Sequence, residues 1–333
     1  MSANHSTDPI GRSEGGRKTG PPPSVSRPSI LVIRGGAIGD FLLTLPALRL
    51  LREGFPDCRI EIVGYRHICA VAEGRYYAEA TRSIEYAPMA GFFNPRSQLD
   101  PGLSSYFSGF GQVISYLFDP DGFFEGSLRR CGVKNLIVGD PRVTGSVHAA
   151  RHLAAPMESL ALFLEEEAAQ VFPSSADRAE AAALLEGLPE PVVAVHPGSG
   201  SEKKNWPLPA WTDLIGSLSA AGATVVVVTG ESDQPRAAAL RSTVPERVKF
   251  LSQPPLPALA AVFERCAFYI GHDTGISHLA AAAGAECLLL FGPTDPDVWA
   301  PRNRGVNVLR APHGIMHNLA VDDVLNHLPA GIR

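Results

Sequence analysis

Short apolar runs alternate with helical patterns along most of the chain. The first run, residues 30–33, is uninterrupted and β-branched, which is typical of a strand buried on both faces of a parallel sheet. Similar runs predict further strands at 59–65, 112–118, 133–138, 191–195, 224–229, 248–251, 268–271, 287–291 and 306–309. Because helical patterns separate these strands, the sequence predicts parallel sheets with helices on both faces.

The helical patterns are clearest in the second half of the chain. They predict helices at 148–167, 206–221, 234–242, 256–266, 275–283 and 321–328. An earlier helix, which ends near Gly54, begins either near Asp40 with a kink at Pro46 or near Thr44 with Pro46 in its first turn. Residues 87–109 are rich in Gly, Pro and Ser and are predicted to form a long functional loop.

The chain has 333 residues, which is too long for one ordinary core and fits two domains. Its first residues are rich in Gly, Ser, Pro and Arg and lack the apolar segment of a secretory signal. The predicted division is a disordered tail at 1–28, an N-terminal domain at 29–172, a linker at 173–190 and a C-terminal domain at 191–333. The predicted fold is α/β, with two doubly wound Rossmann-like domains facing each other across a cleft.

Composition narrows the class of protein. Hydrophobic residues make up 45% and charged residues 19%, as in folded globular proteins. The net charge of -5 argues against nucleic acid as a partner. The five cysteines are scattered without a C-x-x-C pair, which argues against a disulfide framework or a zinc site. No apolar run approaches the roughly 18 residues that span a bilayer. We therefore expect a cytoplasmic protein, for which peripheral contact at the cytoplasmic face of the inner membrane stays open.

A glycine-rich turn follows the first strand. Gly35, Gly36 and Gly39 allow a ligand to approach the backbone, and Asp40 ends the turn. The glycine spacing is not that of a dinucleotide site, and no acidic residue ends the next strand, so an NAD-dependent enzyme is disfavoured. The Asp40 carboxylate either acts as a general base in the cleft or caps the following helix.

A second candidate site follows the strand at 191–195. Ser199 lies in a Gly/Ser loop, and Lys204 comes shortly before the next helix. Hydroxyl groups, free backbone N–H groups and a lysine suit a diphosphate, although the spacing is not that of a P-loop. The alternative is an ordinary turn on which Lys203 and Lys204 are merely solvated.

The third candidate site follows the strand at 268–271. Asp273 or Thr274 can cap the helix that begins at Gly275, whose N-terminus offers N–H groups and a positive dipole to an anion. His278 lies about one turn further along. The alternative is a capping Asp with a hydrogen-bonded core His, but capping and phosphate binding are compatible.

Two further features stand at strand ends. Glu231 follows the strand at 224–229, where an acidic residue often binds a ribose hydroxyl; plain surface exposure is the alternative. Residues 291–295 end another strand and are predicted to form a loop near the same cleft.

The three motifs, in this order, resemble glycosyltransferase family 9, the ADP-heptose:lipopolysaccharide heptosyltransferases. Residues 30–65 are similar to the family's N-terminal strand, Gly-Asp turn and T-x-P-A-L helix. Residues 192–211 resemble its P-G-[ST]…K-x-W-P block, and residues 268–301 resemble its D-[ST]-G-x-x-H-x-A-A…F-G-P-T-x-P…P block. The stretch from about 66 to 140 is unmatched, and Gly36 and Ala37 stand where the family often has two serines.

The resemblance implies a GT-B fold and an inverting transfer of a sugar, expected to be heptose, without a metal or cofactor. The donor would be an ADP-sugar, and the acceptor a glycan or the lipopolysaccharide core. By position, Asp40 would be the general base, beside an acceptor-side loop containing Gly35, Gly36 and Gly39. The implied donor-binding residues are Ser199, Lys204, Asp273, Thr274, Gly275 and His278, to which the strand-end position adds Glu231.

Two other functions are compatible with this architecture. A nucleotide-sugar epimerase would turn over the donor without an acceptor. A non-catalytic glycan- or nucleotide-binding relative would bind its ligand without turnover. Asp40, Lys204 and Asp273 are all present, which favours an enzyme over a binding protein.

Overall fold

The computed structural model of the protein describes residues 27–230 and 233–332. Residues 1–26 of the predicted disordered tail, and Glu231, lie outside the described residues. The described chain forms two α/β domains, each built on one parallel sheet. None of the helices in this part of the chain combines the length and apolarity needed to cross a bilayer.

The N-terminal sheet has five strands. They are β1 (Ser29–Arg34), β2 (Arg59–Gly64), β3 (Ala80–Ser83), β4 (Gln112–Ser115) and β5 (Leu136–Val138). Their spatial order is β3-β2-β1-β4-β5, and every neighbouring pair is parallel. The strand order reverses between β1 and β4, the position at which doubly wound folds bind ligands.

The C-terminal sheet has six strands. They are β6 (Val192–His196), β7 (Thr224–Thr229), β8 (Lys249–Ser252), β9 (Phe268–His272), β10 (Cys287–Phe291) and β11 (Val306–Arg310). Their order is β11-β10-β9-β6-β7-β8, again with every pair parallel. Here the order reverses between β6 and β9, which carry the second and third candidate sites at their ends.

Helices connect these strands. The N-terminal domain has α1 (Ile38–Leu42), α2 (Leu45–Gly54), α3 (Arg66–Cys69), α4 (Pro101–Ser108), α5 (Phe123–Arg130) and α6 (Ala149–Ala154), with 3-10 helices at Ala87–Phe93 and Ala155–Leu160. The rest of the chain has α7 (Ser175–Leu184), α8 (Leu208–Ala220), α9 (Gln234–Arg241), α10 (Leu256–Phe263), α11 (Gly275–Ala282), α12 (Pro296–Trp299) and α13 (Val321–Asn326), with 3-10 helices at Glu202–Lys204, Pro312–Gly314 and Met316–Asn318.

Alternate residues of β1 enter two different apolar clusters, because successive side chains of a strand point to opposite faces. Leu31 and Ile33 join a cluster confined to the N-terminal domain. Ile30 and Val32 join a larger cluster that continues into α10 and α11. Apolar packing is therefore continuous between the two domains. Across the same interface, His148 Nε2 lies 2.9 Å from the Ala300 carbonyl oxygen.

Two predicted elements of the first half are wrong. Residues 87–109 do not form a loop, since α4 begins at Pro101, where the Asp100 carboxylate accepts the Leu103 N–H group at 2.8 Å. The Gly, Pro and Ser residues therefore mark helix ends rather than a structureless segment. The predicted long helix at 148–167 is only α6 followed by a 3-10 turn, because Pro156 cannot continue an α-helix.

The structure adds detail at two other predicted boundaries. The predicted linker at 173–190 contains α7, which is capped by Ser174 and packs against α10. At the first helix, the predicted start near Thr44 is confirmed for the helix that ends at Gly54, and a separate short helix precedes it. The segment forms two helices, α1 and α2, with Thr44 at the N-cap of α2 and Pro46 in its first turn.

Candidate functional site

Two loops from different domains meet at the cleft. The loop after β1 leads into α1, the loop after β9 leads into α11, and these two helices pack against each other. A methyl group on Gly275 would lie 2.6 Å from Ile38 Cβ and 2.8 Å from the Gly39 nitrogen, so a larger residue does not fit without a shift. The carboxyl ends of the two sheets therefore face one another.

Two adjoining cavities open at this contact. The smaller one, of about 300 Å³, is called the cleft cavity. It is lined by Ala37, Gly39, Asp40 and Leu43 of the N-terminal domain and by Lys204, Asp273, Thr274, Gly275, His278, Thr294 and Trp299 of the C-terminal domain. The larger one, of about 1070 Å³, is called the large cavity, and Ser199, Thr229, Pro254 and His67 are among its lining residues. Gly39, Thr274 and Gly275 line both cavities.

Asp40 occupies the first turn of α1. Its Oδ2 accepts the Ala37 N–H group at 2.8 Å, and its Oδ1 lies 3.7 Å from Arg34 Nη2. Arg34 is buried beneath this turn and donates to the Asp40 carbonyl oxygen at 3.1 Å and to Thr44 Oγ1 at 3.0 Å. The Asp40 side chain is still 38% exposed and lines the cleft cavity. The carboxylate thus closes the helix turn and also remains accessible to a ligand.

Lys204 and Asp273 form an ion pair at the opposite wall. Lys204 Nζ lies 2.6 Å from Asp273 Oδ2, and Thr294 Oγ1 donates to the same oxygen at 2.7 Å. Asp273 is nearly buried, with 8% of its side chain exposed, whereas Lys204 is 28% exposed. The predicted loop at 291–295 therefore does reach the cleft, through Thr294. The pair leaves the ammonium group facing the cleft cavity.

The N-terminus of α11 also faces the cleft cavity. Thr274 is its N-cap, and its Oγ1 accepts the Ser277 N–H group at 3.4 Å. Ser277 Oγ in turn donates to the His272 carbonyl and lies 2.9 Å from Tyr269 Oη. The end of β9 and the first turn of α11 are therefore fixed together. Their free N–H groups are positioned to bind an anion.

His278 stands one turn further along α11 and is buried. Burial lowers the pKa of its imidazole, against the raising effect of Asp273, and the nearby His148 and Lys204 lower the pKa further. The ring is therefore neutral at pH 7. A neutral imidazole offers one donor and one acceptor to a ligand in the cleft cavity.

Asp233 organises the wall of the large cavity. It is buried at the start of α9, where its Oδ2 accepts the Gly230 N–H group at 2.9 Å and lies 3.8 Å from His196 Nε2. A methyl group on Gly198 would lie 2.0 Å from Asp233 Oδ1. The carboxylate therefore closes the turn after β7 and lies against the loop after β6, where a residue larger than glycine at position 198 would collide with it.

The comparison with known families agrees with this geometry. Residues 135–328, more than half of the chain, match the sequence model described as glycosyltransferase family 9 (heptosyltransferase). The chain belongs to glycosyltransferase family 9. It is therefore a transferase with the GT-B fold, as its resemblance in sequence implies.

Individual relatives of this family 9 chain cover nearly all of it. It is 29% identical over 320 residues to lipopolysaccharide heptosyltransferase 1 of Escherichia coli strain K12, covering 90% of this chain and 98% of the relative. Among solved structures, it is similar to a family 9 glycosyltransferase from Veillonella parvula, with a TM-score of 0.75, 18% identity and coverage of 90% and 95% of the two chains. E. coli heptosyltransferase WaaC with ADP gives a TM-score of 0.68, 20% identity and coverage of 90% and 98%.

The structure brings most of the predicted residues of this family 9 chain to the two cavities. Asp40, Lys204, Asp273, Thr274, Gly275 and His278 line the cleft cavity, and Ser199, Gly39, Thr274 and Gly275 line the large one. Ser199 Oγ is engaged in its own loop, where it donates to the Ser201 carbonyl at 2.7 Å.

Gly35 and Gly36 lie close to neighbouring side chains. A methyl group on Gly35 would lie 3.2 Å from the Leu117 side chain, and one on Gly36 would meet the Asp40 carboxylate at 2.8 Å. Neither residue lines either cavity in the part of the chain that the structure describes, and their place in an acceptor-side loop stays a prediction. Gly36 has a φ of +93°, and its absent side chain makes room for Asp40.

Several residues of the site were not predicted from the sequence. Asp233 and Arg34 act through other groups, and His67 reaches the large cavity from α3, the helix that follows β2. Asp233 follows the end of β7, so the strand-end argument that selected Glu231 could have selected it as well. Arg34 is the last residue of β1, and a charge at the end of a buried strand was its signal.

Proposed function

We propose that this chain transfers heptose from ADP-heptose to a saccharide of the lipopolysaccharide core. The names of its relatives, which include lipopolysaccharide heptosyltransferase 1 and lipooligosaccharide heptosyltransferase 2, support heptose transfer to this acceptor, and the similar E. coli WaaC structure with ADP supports the nucleotide of the donor. In the cell we place the protein in the cytoplasm, with peripheral contact at the inner face of the membrane where a lipid-linked acceptor is presented.

One observation carries the proposal. The Asp40 carboxylate of one domain and the Lys204–Asp273 pair of the other line the same cavity of about 300 Å³. A glycosyl transfer between two bound sugars requires a base on one side of the reacting centre and a cation on the other. The adjoining cavity of about 1070 Å³ is large enough for a nucleoside.

In this proposal the donor spans both cavities. The nucleoside occupies the large cavity, with Ser199 beside the phosphates, and Glu231, which lies outside the described residues, is assigned to the ribose from its place in the sequence after β7. The diphosphate lies between Lys204 and the N-terminus of α11, and its sugar lies in the cleft cavity. Thr274, Gly275 and the neutral His278 border that sugar. Asp273 acts by holding Lys204 in position.

Transfer then takes place in one displacement. The acceptor hydroxyl oxygen attacks the anomeric carbon as the bond from that carbon to the diphosphate oxygen breaks. The hydroxyl proton passes to the Asp40 carboxylate. Attack from the face opposite the leaving group inverts the anomeric configuration. Lys204 and the α11 N-terminus stabilise the charge of the departing ADP, so the proposed mechanism is metal-independent.

The test is Asp40→Asn, which keeps the shape of the side chain but removes its capacity to accept a proton. We expect kcat to fall by about 10²- to 10⁴-fold, the usual contribution of a general base, with the ADP dissociation constant within twofold of wild type. The anomeric configuration of the product, read by NMR, tests inversion. Asp322→Asn, in α13 far along the chain, is the matched control.

Two results would contradict the proposal. Asp40→Asn with unchanged kcat would remove Asp40 from the chemistry. Conversion of the donor to an epimer in the absence of acceptor would identify a nucleotide-sugar epimerase instead.

A further inference from the structure

A third cavity, of about 880 Å³, opens at the carboxyl ends of β10 and β11. Lys203, Arg310, His313 and His317 line it, together with one carboxylate, Glu202. We call it the basic cavity. It belongs to the C-terminal domain alone, and it shares no lining residue with the cleft cavity or the large cavity.

The basic groups of this cavity form no ion pair with another described residue. Within residues 27–230 and 233–332, no hydrogen bond or ion pair engages the side chains of Lys203, Arg310, His313 and His317. The carboxylate of Glu202 faces Arg236 at 3.7 Å, and its side chain is 86% exposed. The wall therefore carries an uncompensated positive charge together with several N–H donors, which is the chemistry that binds an oxyanion.

The loop that carries the two histidines has an uncommon backbone. His313 has a φ of +57° and Gly314 a φ of +71°, so a non-glycine residue lies in the left-handed region. A methyl group on Gly314 would lie 3.2 Å from the Gly292 carbonyl oxygen, and one on Gly292 would lie 3.0 Å from the Met316 side chain. Close backbone packing on the end of β10 thus holds His313 in this conformation, which is common at ligand-binding loops.

Two pairs of consecutive residues lie between the basic cavity and the cleft cavity. Lys204 pairs with Asp273 at the cleft cavity, whereas the preceding Lys203 lines the basic cavity. Thr294 donates to the same Asp273, whereas the preceding Pro293 lines the basic cavity. The contacts among Lys204, Asp273 and Thr294 therefore separate the basic cavity from the cleft cavity.

We propose that the basic cavity is a second anion site, which binds a phosphate or carboxylate group carried on the acceptor saccharide. Arg310 suits two-point binding of such a group, Lys203 adds a point charge, and the histidines add N–H donors. In the proposed function, Lys204 and the N-terminus of α11 bind the donor diphosphate, so the basic cavity is available for a different anion. The identity of the ligand as acceptor rests on the proposed function, but the affinity of the cavity for anions does not.

The first test measures binding, without turnover. NMR would follow the ring C–H signals of His313 and His317 in the full chain, with ADP present to fill the donor site. The probes are glucose 1-phosphate, glucuronate and glucose at constant ionic strength. We expect saturable shifts with the first two and none with glucose, and the tighter of the two acids identifies the anionic group.

Two double variants make the binding test specific. Lys203→Ala/Arg310→Ala should abolish the shifts. Lys249→Ala/Arg304→Ala removes two exposed cations from the same domain and should retain them. Any of three results would overturn the anion site. The wild type shows no shifts, the shifts persist in the first variant, or chloride alone produces them.

The second test measures transfer to the acceptor. Lys203→Ala/Arg310→Ala should raise the acceptor KM by about tenfold or more, with kcat and the ADP-heptose KM unchanged, because charge-assisted contacts to a remote group are lost equally from ground and transition states. An unchanged acceptor KM would overturn the acceptor assignment even if anions bind. A wild-type protein that binds anions but transfers no heptose would instead refute the proposed function.

Discussion

The Asp273 carboxylate holds Lys204 at the cleft through a single oxygen that also accepts Thr294. Lys204→Ala removes the cation that we assign to the diphosphate. We expect ADP affinity to fall about 10- to 100-fold, the effect of one or two charge-assisted hydrogen bonds. Calorimetric titration with ADP, UDP and GDP measures this loss and also identifies the preferred base.

Lys203→Ala is the matched control for this titration, because it changes the neighbouring lysine of the same 3-10 helix. Since Lys203 lines the basic cavity, ADP affinity should stay within threefold of wild type. Equal losses in the two variants would show that only the general charge of the loop matters.

A buried histidine makes stability depend on pH. His272 Nε2 accepts the Trp206 N–H group at 2.9 Å, and burial lowers the pKa of this imidazole from 6.5 to about 3. Between these values the unfolded chain binds a proton that the folded chain does not. Stability from this group is therefore complete above pH 6.5 and declines as the pH falls toward 3.

His272→Gln removes this titration. From pH 7 to pH 5, the wild-type free energy of unfolding should fall about 2 kcal/mol more than that of the variant. Urea unfolding at the two pH values, followed by tryptophan fluorescence, measures the difference. If the free energy of unfolding falls equally in both proteins, His272 takes up its proton in the folded chain as well.

Sequence reasoning reached the position of the site but not its internal contacts. Asp40, Lys204 and Asp273 each follow a parallel strand, and such ends gather at one edge of a sheet. The Lys204–Asp273 pair joins side chains 69 residues apart, and nothing local in the sequence specifies it. The same holds for Asp233, whose carboxylate is recognised only through the Gly198 and Gly230 backbones that it meets.

At the scale of elements, prediction succeeded where one pattern dominated. Strands β7 and β10 have the predicted bounds, because uninterrupted β-branched or aliphatic runs admit few alternatives. Strand β3 was missed, since its sequence is short and mostly polar at the edge of the sheet. Helix α4 was missed because residues that break helices also begin and end them.

The contact between α1 and α11 tests the importance of element spacing. Gly275→Ala places a methyl group 2.6 Å from Ile38 Cβ, so the two domains must move apart. Overpacking of this kind costs about 1–3 kcal/mol, and kcat/KM should fall about tenfold or more as the base and donor separate. Steady-state kinetics with both substrates measures the effect.

Gly216→Ala is the control for that substitution, because its methyl group would meet no atom within 4 Å in the middle of α8. Activity should be retained and stability raised by about 0.5–1 kcal/mol. Equal kcat/KM values for the two variants would show that the domain contact does not set the rate.

At the scale of the whole molecule, α7 contacts both domains. It packs on α10 of the C-terminal domain, while Asp177 in its first turn accepts Arg75 Nε of the N-terminal domain at 3.1 Å. Both side chains of this pair are largely buried. The domain division with a linker at 173–190 stays a prediction, but the small, polar residues of this segment did not indicate the helix that it contains.

Arg75→Gln breaks this connection between the domains. The free energy of unfolding should fall by about 1–3 kcal/mol, because the partly buried Asp177 loses a charged donor. Arg178→Gln, on the same helix, removes an exposed pair with Glu264 and should leave stability nearly unchanged. Urea unfolding of both variants checks the difference, and similar values would reduce α7 to an ordinary surface helix.

The meeting of Gly39 with Gly275 has a consequence for how such an enzyme can change over evolution. At this point the two domains approach each other through main-chain atoms, which all residue types share. Side chains around the two cavities can therefore be exchanged, and new sugars or acceptors recognised, while the gap across which the sugar travels stays constant. In these loops, side-chain atoms therefore determine the specificity, whereas main-chain atoms keep the geometry of the reaction constant.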